Sequence, residues 1–247
     1  MGDMRKDYLI ERSVIVSTKE RKNTSSKKCP FCPGNEPMTN PSMLALVAKD
    51  GMLQRLQDSD DFFVKNWCVR VFESKNPAVS TSPENSYSDL PLYSEPAYGY
   101  HYIVVASPKH AETFATLDIE QWGNTLVVIQ DRLRWLYTQK GVTYISIFIN
   151  HGKNAGAVID HPHVNMISFS NIPPVIEAEA EASHRILNEK GVCPMCQTIN
   201  TEMGGPRQVL QTNGFVAFVP GLHLIHLSFG YHQKNTILFS QKYLKEK

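Results

Sequence analysis

No stretch of these 247 residues approaches the roughly 20 consecutive apolar positions that a membrane span requires. No membrane partner is expected. The first residues, "MGDMRKDYLIERSVIVS", lack the apolar centre of a secretion signal. Gly2 follows the initial methionine, but Lys6 stands where N-myristoylation wants Ser or Thr. A cytoplasmic protein is expected. An excess of charge is also missing: 25 Lys and Arg face 24 Asp and Glu, a net of +1. That excludes the broad basic field of many nucleic-acid binders. Cysteine is scarce, at five, and a chain of this length buries most of its apolar surface without disulfide staples. The balance of 42% hydrophobic and 20% charged residues is that of an ordinary globular protein. Its length allows one large domain or two small ones.

Four of the five cysteines form two C-x-x-C pairs, Cys29/Cys32 and Cys193/Cys196, and Cys68 stands alone. In a reducing compartment such pairs point to metal more than to disulfides. "SSKKCPFCPGNEP" has Pro and Gly around its cysteines and reads as a knuckle-like loop, not as a strand leading into a redox helix. Strands are expected in "LIERSVIVST", "CVRVFES", "YHYIVVASP", "VTYISIFIN", "HVNMISFS" and "FVAFVP". "IEQWGNTLVVIQDRLRWLYTQ" carries Leu126, Ile129, Leu133 and Leu136 at helical spacing. A second helix, "VIEAEAEASHRILNEKG", is expected to close on Gly191. The Pro-, Ser- and Tyr-rich stretch from Asn76 to Gly99 reads as a long irregular connection. Together these elements imply an α+β or α/β fold with a mostly antiparallel sheet.

The chemistry concentrates in "NHGKNAGAVIDHPHVNMISFS", Asn150 to Ser170. Residues two apart on a strand share a face, so His161 and His163 point the same way. The glycine loop before them offers a close backbone approach to phosphate. An imidazole facing phosphate suits attack at phosphorus. A histidine pair or a glycine loop alone is a weak signal. The third element is His110, which ends the strong strand in "ASPKH". Cys29, Cys32, His110 and His161 together make a Cys2His2 zinc set. That leaves His163 for catalysis, beside a neighbour that zinc holds rigid.

These pieces resemble the galactose-1-phosphate uridylyltransferase family, a branch of the histidine triad superfamily. The resemblance rests on "SVIVSTKER", "CPFCPGNE", "VRVFESKNPAV", "YHYIVVASPKHAET", "NHGKNAGAVIDHPHVN" and "CPMCQTI", in family order across about the first 220 residues. It implies a histidine-triad-like α+β fold, a mostly antiparallel sheet flanked by helices, whose second repeat is incomplete here. Residues 1–172 would be the nucleotidyltransferase domain and residues 173–247 the start of the second repeat. The implied activity, in galactose metabolism, is ping-pong transfer of a nucleoside monophosphate between a nucleotide sugar and a sugar phosphate. The second histidine of HPH, here His163, would carry the nucleotide covalently. Zn2+ would sit on Cys29, Cys32, His110 and His161. Asn150, with Gly152 and Gly156, matches the family's substrate loop, and Arg21 matches the arginine near the nucleotide. Family members commonly form homodimers and complete the site with a neighbour's loop. The Asn76–Gly99 stretch is a candidate for that contact.

Two positions depart from the family. Asn165 stands where the family has a glutamine that donates to the transferred phosphoryl oxygen, so the amide is kept and its reach shortened by about one methylene. Simple triad hydrolases carry a third histidine there. Ser74 stands where the family has an asparagine, which bears on base and ribose contacts and leaves uridine and adenine both open. An ADP-sugar or dinucleoside-polyphosphate phosphorylase or hydrolase is the alternative on the same site. A zinc-knuckle nucleic-acid binder, favoured by the basic "KERKNTSSKK", is the alternative from another class; the neutral net charge counts against it.

After "FVAFVP" the family pattern stops. A family-like peptide, WASFNPFEFWISPKKHNT, back-translated with A/T-rich codons and read one base later, reproduces Gly221 to Leu238. With codons and variable residues chosen to fit, this favours a frame shift or truncation of the second half over the alternative, a diverged C-terminal strand and loop. Cys193 and Cys196 would then be half of a second zinc site, recruiting His223, His226 or His232 only by accident. Exposed strand edges and apolar surface would leave this chain less stable than its full-length relatives, and inactive if the chemistry depends on the missing second half.

Overall fold

The computed structural model describes residues 2–7, 9, 12–17, 28–83, 94–219 and 230–233. The chain forms two compact units, Met1–Pro174 and Val175–Lys247.

The strands of the first unit are, in chain order, β1 (Gly2–Lys6), β2 (Ser13–Ser17), β3 (Ser42–Lys49), β4 (Met52–Leu56), β5 (Trp67–Glu73), β6 (Ser94–Pro96), β7 (His101–Val105), β8 (Tyr144–Phe148) and β9 (His163–Phe169). The larger sheet has six strands, ordered β4-β3-β5-β7-β9-β8, and every neighbouring pair is antiparallel. A smaller sheet runs β2-β1-β6. With its helices this is the expected α+β fold. The β3–β4 hairpin is not among the expected strands. Its signal is the Asp50–Gly51 pair, where both residues have positive φ (52° and 73°) as a two-residue hairpin turn demands.

Alternation gives the six-stranded sheet two different faces. One carries Val69, Val71, Tyr102, Val104, Val164 and Met166 into the main core, with Val128, Ile129 and Leu136 of helix α1 (Ile119–Leu136). Asp118 caps α1 by accepting the amide N–H of Gln121 at 2.7 Å. Leu126 is 55% exposed, against the expected apolar stripe. The buried side of α1 is set by Thr125, Val128, Ile129 and Leu136, and Leu126 lies about 100° around the helix from its centre.

The other face holds the chemistry. Val105 pairs with His163 and Ile103 with Asn165 across β7 and β9, and His101 pairs with Ile167. Directly opposed residues share a face, so His101, His163 and Asn165 lie on the same side. Phe31, Phe72, Ile103 and Val105 form the apolar cluster beneath them.

The second unit contains α2 (Pro174–Lys190), α3 (Pro194–Glu202) and the antiparallel strands β10 (Gln208–Gln211), β11 (Phe215–Phe218) and β12 (Gly230–Gln233). Helix α2 stops at Gly191, whose φ of 67° suits glycine, as expected. Ile199, Val216 and Phe218 form a small core with Met203. Val209, Leu210 and Phe215 are exposed. The proposed frame-shifted stretch, Gly221 to Leu238, lies outside the described residues apart from the backbone of β12. Among the described residues no helix is long and apolar enough to cross a membrane.

Candidate functional site

Residues 29–35 fold as a tight turn. The Cys29 carbonyl accepts the Cys32 amide at 3.4 Å and the Asn35 side-chain amide at 2.8 Å. Glu36 ties this turn to the sheet. It is 1% exposed and accepts from the Gly34 amide, the Lys65 ammonium and the Trp67 indole. Burial alone would raise its pKa, but these donors outweigh burial and hold the carboxyl at about 2.

The turn brings Cys29 and Cys32 to two histidines from distant parts of the chain. His161 Nδ1 lies 3.7 Å from Cys29 Sγ and 3.8 Å from Cys32 Sγ. His110 Nδ1 lies 3.5 Å from Cys32 Sγ and 3.3 Å from His161 Nδ1. A zinc ion with bonds of about 2.0–2.1 Å to nitrogen and about 2.3 Å to sulfur has tetrahedral edges of about 3.3 Å (N···N) and about 3.6 Å (N···S). These four distances are close to those spacings and all four donor atoms lie within 4.8 Å of one another, so the residues fit a tetrahedral metal ion. Nδ1 of His161 is the free lone pair, because its Nε2 donates to the Ser107 carbonyl at 2.8 Å. Burial, then the charge of Cys29, push the Cys32 thiol up to about 11. Two thiolates side by side thus need a cation between them.

Ser107 belongs to the loop that carries His110. Its hydroxyl bonds Glu112 and accepts the Lys109 amide, and Lys109 pairs with Glu112 at 2.8 Å. The loop is therefore braced on both sides of the ligand.

His163 is 8% exposed and opens β9. Its Nδ1 donates to the His161 carbonyl at 2.7 Å, which leaves Nε2 as the lone pair. Burial lowers its pKa more than that hydrogen bond raises it, so the ring is held neutral at neutral pH. The ring of Phe31, which stands between the two cysteines, packs edge-on at 5.2 Å from His163 and 6.1 Å from His161. Phe31 in turn touches Phe72 at 5.6 Å. Behind Phe72 lies the Arg70 guanidinium, paired with buried Asp58 at 2.7 Å. Sequence reasoning singled out neither Phe31 nor Glu36. Only their position inside "CPFCPGNE" marked them.

His163 lines an open cleft with His161, Asn150, His151, Gly152 and Asp160, among others. Gly152 and Gly156 have φ of 76° and 83°, conformations that favour glycine. The amides of Ala155, Gly156 and Ala157 bond back to the carbonyls of Gly152 and Lys153, so they serve the turn itself. Asn165 is half-buried on the face of His163 and faces buried His101, with His101 Nε2 at 3.3 Å from Asn165 Oδ1. Ser74 follows β5. Its amide donates to the His101 carbonyl at 2.8 Å, and its hydroxyl accepts the Asn76 amide.

Arg21, most of "KERKNTSSKK" and residues 84–93 of the long connection lie outside the described residues. Cys193 stands at the N-cap position of helix α3, where the nearby backbone of Cys196 lowers its thiol pKa. Among the described residues this pair belongs to no larger group of metal-ligating side chains.

The family model described as galactose-1-phosphate uridyl transferase, N-terminal domain, matches residues 4–173. The chain is 27% identical to an Arabidopsis thaliana ADP-glucose phosphorylase over 215 residues, covering 79% of this chain and 56% of that protein. It is 28% identical to a Thermotoga maritima galactose-1-phosphate uridylyltransferase over 255 aligned positions, covering 100% of this chain and 72% of that protein. A solved uridylyltransferase superposes with a TM-score of 0.76 at 23% identity, over 94% of this chain and 66% of that one. The A. thaliana ADP-glucose phosphorylase, solved with bound ADP-glucose, gives 0.60 at 23%, over 88% and 63%. At these identities the two structures establish the fold. The chain spans about half to two thirds of the length of several of these relatives.

Proposed function

Because this chain belongs to the galactose-1-phosphate uridyl transferase family, we propose that it is a nucleotidyltransferase working through a nucleotidyl-histidine. Its substrates are a nucleotide sugar and a sugar phosphate. The observation that carries the reading is His163, a buried neutral ring whose Nδ1–H is bound to the His161 carbonyl and whose Nε2 is left as the lone pair at the cleft. Nε2 attacks the α-phosphorus. The bond from that phosphorus to the bridging oxygen breaks, and the sugar phosphate leaves. An acceptor phosphate oxygen then attacks the same phosphorus and releases Nε2. The His161 carbonyl disperses the positive charge that the ring gains on attack. Asn165 donates to a non-bridging oxygen of the transferred group. The glycine loop at residues 150–156 seats the phosphates, and Arg21 and Ser74 meet the nucleoside.

Cys29, Cys32, His110 and His161 hold Zn2+ in this reading. The ion supplies a rigid anchor for the turn and for the strand start beside His163. Residues 1–172 form the transferase domain, and residues 173–247 belong to a second repeat of the same kind. The protein acts in the cytoplasm as a homodimer.

A second reading on the same residues is a phosphorylase of ADP-sugars, with inorganic phosphate as acceptor. The similarity to ADP-glucose phosphorylase favours it. One experiment serves both. Wild type and His163→Ala are incubated with UDP-glucose or ADP-glucose labelled in the α-phosphate, and protein-bound label is counted. Label is expected on wild type alone, and the better donor names the base. A wild type that retains none with either donor removes the catalytic reading.

A further inference from the structure

His101 has no role in the reaction as written, yet it is buried on the same sheet face as His163 and Asn165. Both of its ring nitrogens are engaged. Nδ1 lies 3.1 Å from the amide nitrogen of Ala78 and accepts its N–H. A backbone amide only donates, so Nδ1 carries no proton. The ring proton is therefore on Nε2, which donates to Asn165 Oδ1 at 3.3 Å. The donor on Nε2 demands the oxygen of the Asn165 carboxamide, not its nitrogen. Nδ2 of Asn165 is turned the other way, and among the described residues no protein acceptor meets it.

The direction of that amide matters. An NH2 group facing a phosphoryl oxygen donates to it. A flipped amide would set carbonyl oxygen against phosphoryl oxygen. An asparagine with no partner at Oδ1 can take either orientation, because the two ends of a carboxamide have nearly the same shape. The backbone holds the orienting ring in turn. The carbonyl of His101 accepts the Ser74 amide at 2.8 Å, and Ala78 lies four residues further along the same loop.

We propose that His101 is a positioning residue, part of a relay from Ala78 through His101 to Asn165 that keeps the Asn165 NH2 aimed at the transferred phosphoryl group. This rests on the nucleotidyl-transfer reading and adds a residue to it. It also offers a reason why the shorter asparagine serves here: its free rotation is removed by a fixed donor.

Two conservative variants separate the two ends of the imidazole. In His101→Gln the side-chain NH2 falls near the place of Nε2, so the donor to Asn165 is kept. In His101→Asn the side-chain oxygen falls near the place of Nδ1, so only the bond to Ala78 is kept. The rate of nucleotidyl-histidine formation is measured by rapid quench on the full chain, with the α-labelled donor that wild type prefers. His101→Asn is expected to be about 10- to 100-fold slower, the usual cost of losing an outer partner. His101→Gln is expected to recover most of that rate. The donor concentration giving half-maximal rate should move less than about threefold, because the loss lies in the transition state. In the double variant His101→Asn/Asn165→Ala the rate should equal that of Asn165→Ala alone. Metal content and melting temperature are read on every variant.

The inference is overturned if His101→Asn keeps the wild-type rate. It is equally overturned if His101→Asn outperforms His101→Gln, which would assign the ring to bracing Ala78, or if the losses at 101 and 165 multiply. All three results leave the transfer reading intact. A wild type that takes up no label removes the transfer reading itself, and the inference with it.

Discussion

At His163 the proton sits on Nδ1, bonded to the His161 carbonyl, so Nε2 keeps the lone pair that the proposed nucleophile requires, and burial favours the neutral ring. Its pKa lies below the ordinary imidazole value of 6.5, first because of burial. The labelling rate is therefore expected to stay level from pH 8 down past 6.5 and to fall only at lower pH, as Nε2 takes up a proton. A rate that halves near 6.5 or above would contradict the buried neutral ring. Asn165→Ala is expected to slow labelling by about 10²–10³, the usual cost of one lost donor to a developing oxyanion. Asn165→Gln, which keeps the carboxamide one methylene further out, should keep much of the rate. Rapid-quench measurement of bound label checks both.

The knuckle is the element on which the site hangs. Its two thiols reach His110 and His161 from other parts of the chain, and Phe31 between them packs edge-on against the ring of His163. Atomic-emission analysis is expected to find one zinc per chain, lost in Cys32→Ser. Because the same element seats Phe31, removing zinc with a chelator should lower both the melting temperature and the labelling rate. Phe31→Ala should destabilise the fold by about 3–5 kcal/mol, as burying an aromatic is worth. Glu36 is the element's anchor to the sheet. Its folded pKa of about 2 is depressed from 4.5. The carboxylate therefore stabilises the fold fully above about pH 4.5, and this contribution is lost as pH falls through 4.5 towards 2. It amounts to at most about 3 kcal/mol. Urea melts of Glu36→Gln should show a lower stability at pH 7 and a flatter decline between pH 5 and 2. A parallel decline in variant and wild type would place the acid sensitivity elsewhere.

At the scale of the molecule, a six-stranded antiparallel sheet separates stability from chemistry. One face is closed by α1, and the other carries the histidines. Substitutions on the closed face should therefore cost stability and leave the site alone. Met166, fully buried there, neighbours Asn165 in sequence but faces the core. Met166→Ala should lose about 2–5 kcal/mol in a denaturant melt while binding the same amount of zinc as wild type. The proposed dimer is checked by sedimentation, which should give twice the mass of one chain.

The sequence by itself picked out the Cys29, Cys32, His110 and His161 cluster, the proposed nucleophile and most of the strands. Cys29, Cys32, His110, His161 and His163 stand out because soft metal ligands and paired imidazoles are rare and are set in short, recognisable turns. Most strands of the large sheet were legible from β-branched runs. The β3–β4 hairpin was not, although Asp50 and Gly51 mark its turn, because its runs mix with Ala, Lys and Gln. Neither was the buried side of α1, since a spacing of three and four leaves its centre free to rotate by a residue. Tertiary structure alone decided the rest. His101 and Asn165 lie 64 positions apart, and Phe31 and His163 lie 132 apart. No local pattern relates such pairs; the register of β7 on β9 and the closing of the knuckle bring them together. The protonation of each ring also follows from which backbone group it meets, and that is a property of the folded chain.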